Sequence, residues 1–468
     1  MQRLILSATL ATILATAPDW TDLRPATVAQ TIDPRNFGFD LPAGPVRPGG
    51  GARVLVGVGD REVVARVHVE VADQRILLMP DGVLVARPAS ELKPTDDSFK
   101  PAGMDEIAAR WTSGRLRNFQ TKSTRHYLFV YNTSEEMALV TSRVLESMVP
   151  GLIGFADSMK LKSSEPELPL VVLMFKTEAE FQRFQKMPKG VVAYYSQLDN
   201  YIVLYEESGL AGIKPELALQ QTLSTIAHEG AHQILANIGI QQRLSVWPMW
   251  LSEGLAEYLA PTSTGRRLKW KGAGQVNDMR MFELENYLKS RDADVADGHL
   301  VEQTVLAGRL TSTGYATAWS LTHHLAKNQR GDFQKLLASV SQLGPLEGDL
   351  RIEPPGVVRG NLSQFRQIFG DDFGAIEKRL VAHLKKQPYT DPFAEFPHFV
   401  GVVGAGPGGR LRREANVFHA QAQANKWCEE TVAKLPADQR DGAVSTVRQF
   451  ATRPAAEAAA RQWLQGGK

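Results

Sequence analysis

Two histidines and a glutamate in the segment TIAHEGAHQILANIG (residues 225–239) have the spacing of a metal site. If this segment is a helix at about 100° per residue, its apolar residues form one stripe, and His228 and His232 lie side by side on the flank of that stripe. Two imidazoles one turn apart can each direct a nitrogen to a single zinc ion. Glu229, on another side of the helix, would be no ligand but a base that takes a proton from water polarised by the ion.

The same three residues could instead be a polar edge on an ordinary buried helix. The chain has ten histidines, and two of them with a glutamate in this register arise by composition in on the order of one in a hundred chains of this length. A catalytic zinc site also needs a third protein ligand. The choice between the two interpretations therefore depends on the rest of the sequence.

A candidate for the third ligand lies in the segment WPMWLSEGLAEYLA (residues 247–260). Glu253 and Glu257 are four residues apart and share one face of the helix that this segment predicts. Two carboxylates beside several large apolar residues are costly to bury unless a cation offsets their charge. The alternative is a half-exposed helix with a solvated acidic edge, but together with the upstream histidines the pattern favours a metal.

The arrangement of H-E-x-x-H followed about twenty residues later by W-L-x-E-G-x-A-E resembles the gluzincin metallopeptidases, which include aminopeptidase-type and peptidase MA-like enzymes. The resemblance implies that Glu253 is the third ligand of one zinc ion per chain and that Glu257 orients a liganding histidine. It also implies that Tyr315, in TGYATAWSLTHHL, donates a hydrogen bond to the developing oxyanion. The alternative for Tyr315 is a core aromatic packed with Trp319 and Leu321.

A narrower resemblance extends from about residue 75 to 390. Segments such as RHYLFVYNTS, LPLVVLMF and GQVNDMRMFEL are similar to a bacterial, exported family that is catalogued as a domain of unknown function (family 1570) and has a gluzincin-like core. The interval of twenty residues between His232 and Glu253 is slightly longer than in the aminopeptidase-type enzymes, and their N-terminus-binding edge-strand motif is absent. Aminopeptidase specificity is therefore not implied.

The elements that position these residues predict an α+β fold. β-branched residues alternate through residues 51–95 with Gly-Asp and Asp-Gly turn signals, which predicts a small all-β module. Strand and helix patterns then alternate up to the metal-site helix, and the chain beyond residue 216 is mostly helical. The resemblance implies that residues 105–390 form a zincin-like metallopeptidase core, built from a mixed sheet, the H-E-x-x-H helix and a helical subdomain.

The two ends of the chain have different compositions from this core. Residues 1–29 predict a secretory signal peptide, because Arg3 precedes an uncharged run that ends in small residues; the alternative is an ordinary buried helix. Residues 30–52 are rich in Pro and Gly and predict a linker. Residues 391–468 predict a mainly helical region, in which His398 is interpreted as structural.

The composition excludes some functions. With 53 basic and 51 acidic side chains and no concentrated basic face, nucleic-acid binding is not expected. The single cysteine leaves no disulfide framework. We expect an exported bacterial protein, periplasmic or extracellular, with no stable membrane insertion after removal of the signal peptide.

These observations predict a secreted zinc-dependent metallopeptidase acting on a peptide or protein substrate. Glu229 would activate the polarised water and return its proton to the leaving amine. The strand before the metal helix, NYIVLYE, would hold the substrate by strand addition, which assigns Tyr201 and Val203 to substrate binding. Two alternatives use the same residues: a non-peptidase zinc amidohydrolase, and a catalytically inactive zinc-containing binding or scaffold protein. Glu229 argues against the second, because a structural site has no use for the base.

Overall fold

The structure is a computed structural model that describes residues 30–41, 44–207, 215–262, 269–292, 294–349, 353, 356–406 and 412–466. Within these ranges the fold is α+β with a β-rich N-terminal region, as predicted. The predicted signal peptide, residues 1–29, lies outside the described residues.

An antiparallel sheet occupies the N-terminal part of the described chain. The strands of this region are β1 (Gln30–Thr31), β2 (Val46–Pro48), β3 (Arg53–Val58), β4 (Arg61–Val71), β5 (Gln74–Leu78), β6 (Leu84–Pro88) and β7 (Lys93–Pro94). The sheet order is β6-β5-β4-β3-β7, with β2 also paired to β4. β4 is the longest of these strands and pairs with β2, β3 and β5, so it forms the centre of the module.

The segment predicted as a linker, residues 30–52, is packed against this sheet instead. Ile32, Phe37, Phe39 and Leu41 are buried in one cluster with apolar residues of β4, β5 and β6. Pro and Gly dominate the local composition, but the spaced apolar side chains decide the conformation, because burying each one is worth roughly 1.5–3 kcal/mol. The β-module therefore begins earlier in the chain than the predicted residue 51.

A mixed five-stranded sheet follows the β-module. Its elements in chain order are α1 (Met104–Ser113), β8 (Gln120–Ser123), β9 (Tyr127–Tyr131), α2 (Glu135–Ser158), β10 (Leu170–Phe175), α3 (Glu178–Phe184), β11 (Ala193–Ser196) and β12 (Tyr201–Tyr205). The order is β11-β12-β10-β9-β8; β10 runs parallel to β9 and β12, and both outer strands are antiparallel to their neighbours. Every residue of β9, β10 and β12 is buried, as expected for central strands covered on both faces.

The described chain beyond β12 is mostly helical up to the C-terminal region. It forms α4 (Pro215–Asn237), α5 (Met249–Leu259), α6 (Asp278–Ser290), α7 (His299–Leu306), α8 (Ser312–Asn328), α9 (Arg330–Ser341), the short strand β13 (Glu347–Gly348), α10 (Arg359–Phe369) and α11 (Phe373–Leu384). α4 carries His228 and His232, α5 carries Glu253 and Glu257, and α8 carries Tyr315. Three helices thus supply the residues of the predicted site.

Among the described helices, α2 is the one long and apolar enough to cross a membrane, and 56% of the relevant stretch is buried inside the protein. Gly230 of α4 lies against this helix, where an added Cβ would come within 2.3 Å of the Leu145 side chain. α2 is therefore a core helix that packs against α4.

The C-terminal region contains a three-stranded antiparallel sheet, so the prediction of a mainly helical region over residues 391–468 was wrong in this respect. Its elements are β14 (His398–Ala405), β15 (Arg412–Phe418), α12 (Gln421–Ala433), α13 (Ala437–Arg440), β16 (Val444–Phe450) and α14 (Arg453–Leu464). β14 lies between β15 and β16. Gly401 of this strand allows α12 to approach the sheet, because a Cβ there would lie 3.0 Å from the sulfur of Cys428.

The chain divides into two compact units. One comprises Met1–Gln275 and Val301–Phe373, and the other comprises Val276–Leu300 and Gly374–Lys468. α6 and most of α11 therefore belong with the C-terminal unit, whereas the sequence placed them in the domain spanning residues 105–390. The predicted metal-site residues all lie in the first unit.

A buried arginine joins the β-module to the mixed sheet within the first unit. Arg243 follows α4, and its guanidinium donates to the backbone carbonyls of Gly82 at 2.6 Å, Gln197 at 2.7 Å and Leu198 at 2.8 Å. The first carbonyl lies between β5 and β6, and the other two lie between β11 and β12. Because a buried cation without acceptors is costly, these bonds hold the β11–β12 turn in one position.

α5 and α8 approach each other closely at Gly254. A Cβ at this position would lie 2.5 Å from the carbonyl oxygen of Ala318 and 2.5 Å from Oγ1 of Thr322. The glycine therefore lets the backbone of α8, which carries Tyr315, lie directly beside the helix that carries Glu253.

Replacement of Gly254 by alanine is expected to destabilise the protein by about 1–3 kcal/mol, because the added methyl overlaps a backbone carbonyl and one helix must shift. The matched control is Gly154→Ala in α2, where an added Cβ meets no heavy atom within 4 Å and alanine is favoured in a helix by about 1 kcal/mol. Urea unfolding followed by circular dichroism measures both variants. A Gly254→Ala protein as stable as the wild type would contradict this close packing.

Candidate metal centre

His228, His232 and Glu253 meet between α4 and α5. Nε2 of His228 lies 3.2 Å from Nε2 of His232 and 3.1 Å from Oε2 of Glu253, and Nε2 of His232 lies 3.6 Å from the same carboxylate oxygen. One ligand atom from each residue falls within 4.8 Å of the others. The structure thus brings together the three side chains that the sequence assigned as ligands, in a group that could hold a metal ion.

The hydrogen-bond partner of His228 favours this use of its ring. Nδ1 of His228 lies 3.2 Å from Oε1 of Glu257, so its N–H group donates to that carboxylate and Nε2 faces Glu253. Nε2 of both imidazoles and a carboxylate oxygen then converge on one point, which favours a positive charge between them, carried by a proton or a metal ion. The donor set fits a divalent ion, since nitrogen and carboxylate oxygen are the ligands that such ions take from histidine and glutamate.

Burial strengthens the charge interactions between the histidines and the glutamates of the cluster. Glu253 is 1% exposed and Glu257 is 6% exposed. Burial would raise the pKa of Glu253, but the nearby His232 and His228 outweigh it and lower that pKa to about 2. Burial would likewise lower the pKa of His228, yet Glu253 and Glu257 raise it well above the usual value. The carboxylates therefore hold positive charge tightly, whether a proton or a metal ion carries it.

Glu229 lies beside this cluster and is anchored to the edge of the mixed sheet. Its Oε2 accepts a hydrogen bond of 2.8 Å from the backbone N–H of Tyr195 in β11. Burial raises the pKa of Glu229 to about 7, against the opposing effect of His228 and His232. The sequence did not identify Tyr195, because a backbone donor has no sequence signal of its own.

Tyr315 is also brought to the site. Its half-buried ring lies against His228, with the two ring centroids 6.2 Å apart. Trp319 and Leu321, further along α8, are fully buried in the core. Tyr315 therefore lies beside one of the candidate ligands.

The metal-site helix is fixed to the sheet by amide side chains. Gln233 of α4 donates through Nε2 to the carbonyls of Asn200 at 2.9 Å and Val171 at 3.2 Å, and Asn237 donates to Oδ1 of Asn200 at 2.8 Å. Asn200 has a φ of 57°, a left-handed conformation that asparagine adopts more readily than most residues. The turn between β11 and β12 thus sets the position of α4.

The assignment of Tyr201 and Val203 to substrate binding by strand addition does not hold. Both residues are in β12, which is paired with β10 on one side and β11 on the other, so this strand has no free edge. Their side chains are buried in the core cluster that also contains Phe181. Among the described residues, β11 is the outermost strand at this end of the sheet. The sequence predicted the β11–β12 hairpin but could not show which of its strands lies outermost.

Comparison with known proteins adds one match. Residues 222–347 match the family described as a protein of unknown function (DUF1570). The matched range contains His228, His232, Glu253 and Tyr315, and it is narrower than the resemblance expected from the sequence. No curated protein matches the chain.

Substitution of the candidate ligands should remove one metal-binding event. We expect Glu253→Ala to abolish one event in a calorimetric titration with Zn2+ as the probe ion, because a three-ligand site loses its carboxylate. Glu257→Ala should weaken that event about 10- to 100-fold by releasing the His228 ring, and Glu257→Gln, which keeps an acceptor for Nδ1–H, should weaken it less.

Glu136→Gln on the exposed face of α2 provides the control for a lost glutamate charge. Ion binding by the Glu253→Ala protein that equals the wild type in number and affinity would rule out the cluster as a metal site.

Proposed function

We propose that the protein is a zinc-dependent metallopeptidase of the gluzincin type, with one zinc ion held by His228, His232 and Glu253 in a zincin-like core. The observation that best supports this proposal is the convergence of the three ligand atoms beside Glu229. A metal site kept only for structure would need the three ligands but not a fourth titratable group, buried and anchored at the edge of the sheet.

A bound zinc ion supplies a Lewis acid that polarises the scissile carbonyl and lowers the pKa of water. Glu229 takes a proton from the attacking water while the water oxygen bonds to the carbonyl carbon. When the C–N bond breaks, Glu229 gives that proton to the leaving amine. One oxygen of Glu229 is held by the N–H of Tyr195, which leaves the other oxygen for this transfer.

Two further side chains have supporting roles. Tyr315, beside the His228 ring, donates its hydroxyl proton in a hydrogen bond to the oxygen that becomes negative in the transition state. Glu257 holds Nδ1 of His228 and so keeps the ring directed at the ion.

The substrate is a peptide in extended conformation. β11 has one strand neighbour in the described part of the chain, and in this proposal a peptide strand pairs along its other side. Since the Tyr195 N–H of this strand binds Glu229, a peptide that follows β11 passes the catalytic base. We include in the proposal that the enzyme is exported from a bacterial cell, on the strength of the basic start and uncharged run of residues 1–29.

The decisive variant is Glu229→Gln. We expect it to bind zinc as the wild type does and to hydrolyse a quenched-fluorescence peptide library about 100- to 10,000-fold more slowly, because the amide cannot accept the water proton. Glu136→Gln should retain full activity. Equal rates for Glu229→Gln and wild type would refute the mechanism. Cleavage of acylated small amides without any peptide cleavage by the zinc-loaded wild type would favour an amidohydrolase instead.

A second prediction concerns Tyr315. The variant Tyr315→Phe keeps the ring but loses the hydroxyl donor, so kcat should fall roughly 10- to 1,000-fold with a much smaller change in KM. The control is Tyr131→Phe. Tyr131 is the last residue of β9, and its hydroxyl donates to Glu135. Steady-state kinetics on the best library peptide measures both variants. A Tyr315→Phe effect confined to KM would assign the residue to substrate binding rather than to the oxyanion.

A further inference from the structure

A second group of metal-binding side chains lies in the C-terminal unit. Asp391, His398 and His419 each offer one ligand atom, and these atoms lie within 4.8 Å of one another. Nε2 of His398 is 3.3 Å and Nε2 of His419 is 3.4 Å from the same oxygen, Oδ2 of Asp391. The two imidazole rings are in contact, with their centroids 4.2 Å apart.

The fold brings these residues together from three separate places. Asp391 lies in the segment before β14, His398 is the first residue of β14, and His419 follows the last residue of β15. The antiparallel pairing of Phe399 with Phe418 places the two histidines at the same end of the hairpin. The arrangement therefore depends on the sheet register and not on local sequence.

The ring of His398 is held in a defined orientation. Its Nδ1 lies 2.8 Å from the backbone carbonyl of Phe396, so the Nδ1–H group donates there and Nε2 faces Asp391. His398 is 1% exposed, and its Nε2 lies 3.3 Å from the carboxylate oxygen. A nitrogen and a carboxylate oxygen that face each other can share a cation, and a backbone carbonyl on the other ring nitrogen is a common feature of metal-binding histidines.

Asp391 is oriented in the same way. Its Oδ1 accepts from the N–H of Phe393 at 2.8 Å, and its Oδ2 accepts from Nη1 of Arg453 at 2.9 Å. Arg453 does not satisfy this carboxylate alone, because the same guanidinium also binds Glu285 and Glu457. Lys289 also binds Glu285, and Arg461 lies 3.9 Å from Glu457. Asp391 receives one hydrogen bond from Arg453, at Oδ2, and this oxygen has a further lone pair for a cation.

We propose that Asp391, His398 and His419 form a second site, for a divalent transition-metal ion such as Zn2+, separate from the one between α4 and α5. Two imidazoles and one carboxylate are a donor set that such ions accept. The ion would connect the segment before β14 to both strands of the β14–β15 hairpin, and this connection stabilises the folded C-terminal unit.

Zinc titration of the full chain separates the two sites. The wild type should bind two ions, Glu253→Ala one, His419→Gln one, and the double variant Glu253→Ala/His419→Gln none. The control is His299→Gln, an exposed histidine outside both groups, which should bind two. Calorimetry gives the number of ions, and Co2+ absorption spectra show whether nitrogen and oxygen ligands surround each one.

The ion remaining in Glu253→Ala tests the second site without any change in the C-terminal unit, so the result does not depend on whether His419→Gln folds. No ion in that protein would overturn this inference and leave the proposed function standing. An ion that persists in the double variant at unchanged affinity would overturn it as well. If the wild type binds one ion, and that ion is lost in His419→Gln but kept in Glu253→Ala, the result would instead refute the first site. Added zinc should also raise the unfolding temperature of Glu253→Ala, and the absence of such a shift would contradict a stabilising role.

Discussion

The burial of two carboxylates and two imidazoles between α4 and α5 is the constraint on which the surrounding structure depends. Four such groups are costly to remove from water unless their charges and lone pairs are matched. This match requires α4 and α5 to stay at a fixed separation. Gln233 and Asn237 bond α4 to the β11–β12 turn, and Arg243 bonds that turn to the β-module. Gly254 allows α8 to pack directly against α5. Parts of the fold that are remote in sequence thus help to position one small polar cluster.

The helical residues of the site could be predicted from the sequence because helix geometry is local. A spacing of four residues on a helix determines that His228 and His232 are neighbours, and Glu253 is recognisable as a carboxylate in an apolar helix. The edge strand was not predictable, because β11 and β12 are both apolar and strand order depends on pairing with β10, which is non-local. The same limitation explains Tyr195, whose contribution is a backbone N–H.

The errors at the two ends of the chain have a different origin. In residues 30–52 the content of Pro and Gly indicated a linker, although the aromatic residues Phe37 and Phe39 carry enough apolar area to dock on the sheet. In the C-terminal region the mainly helical prediction missed the sheet of β14, β15 and β16, whose pairing is non-local. The interpretation of His398 as structural is not one of these errors. Its neighbours Asp391 and His419 become visible only when the β14–β15 register is known.

The two groups of ligands follow the same principle but suit different purposes. In each, an acceptor holds Nδ1 of a buried histidine and directs Nε2 toward a carboxylate: Glu257 in one case and the Phe396 carbonyl in the other. The group between α4 and α5 has Glu229 and Tyr315 beside it, and in the proposed enzyme these residues would supply a proton acceptor and a hydroxyl donor. The carboxylate of the other group is bound by Arg453, which holds it in place and limits its freedom to respond to a changing ligand. An ion in the first environment would serve catalysis, and an ion in the second would serve the stability of the sheet.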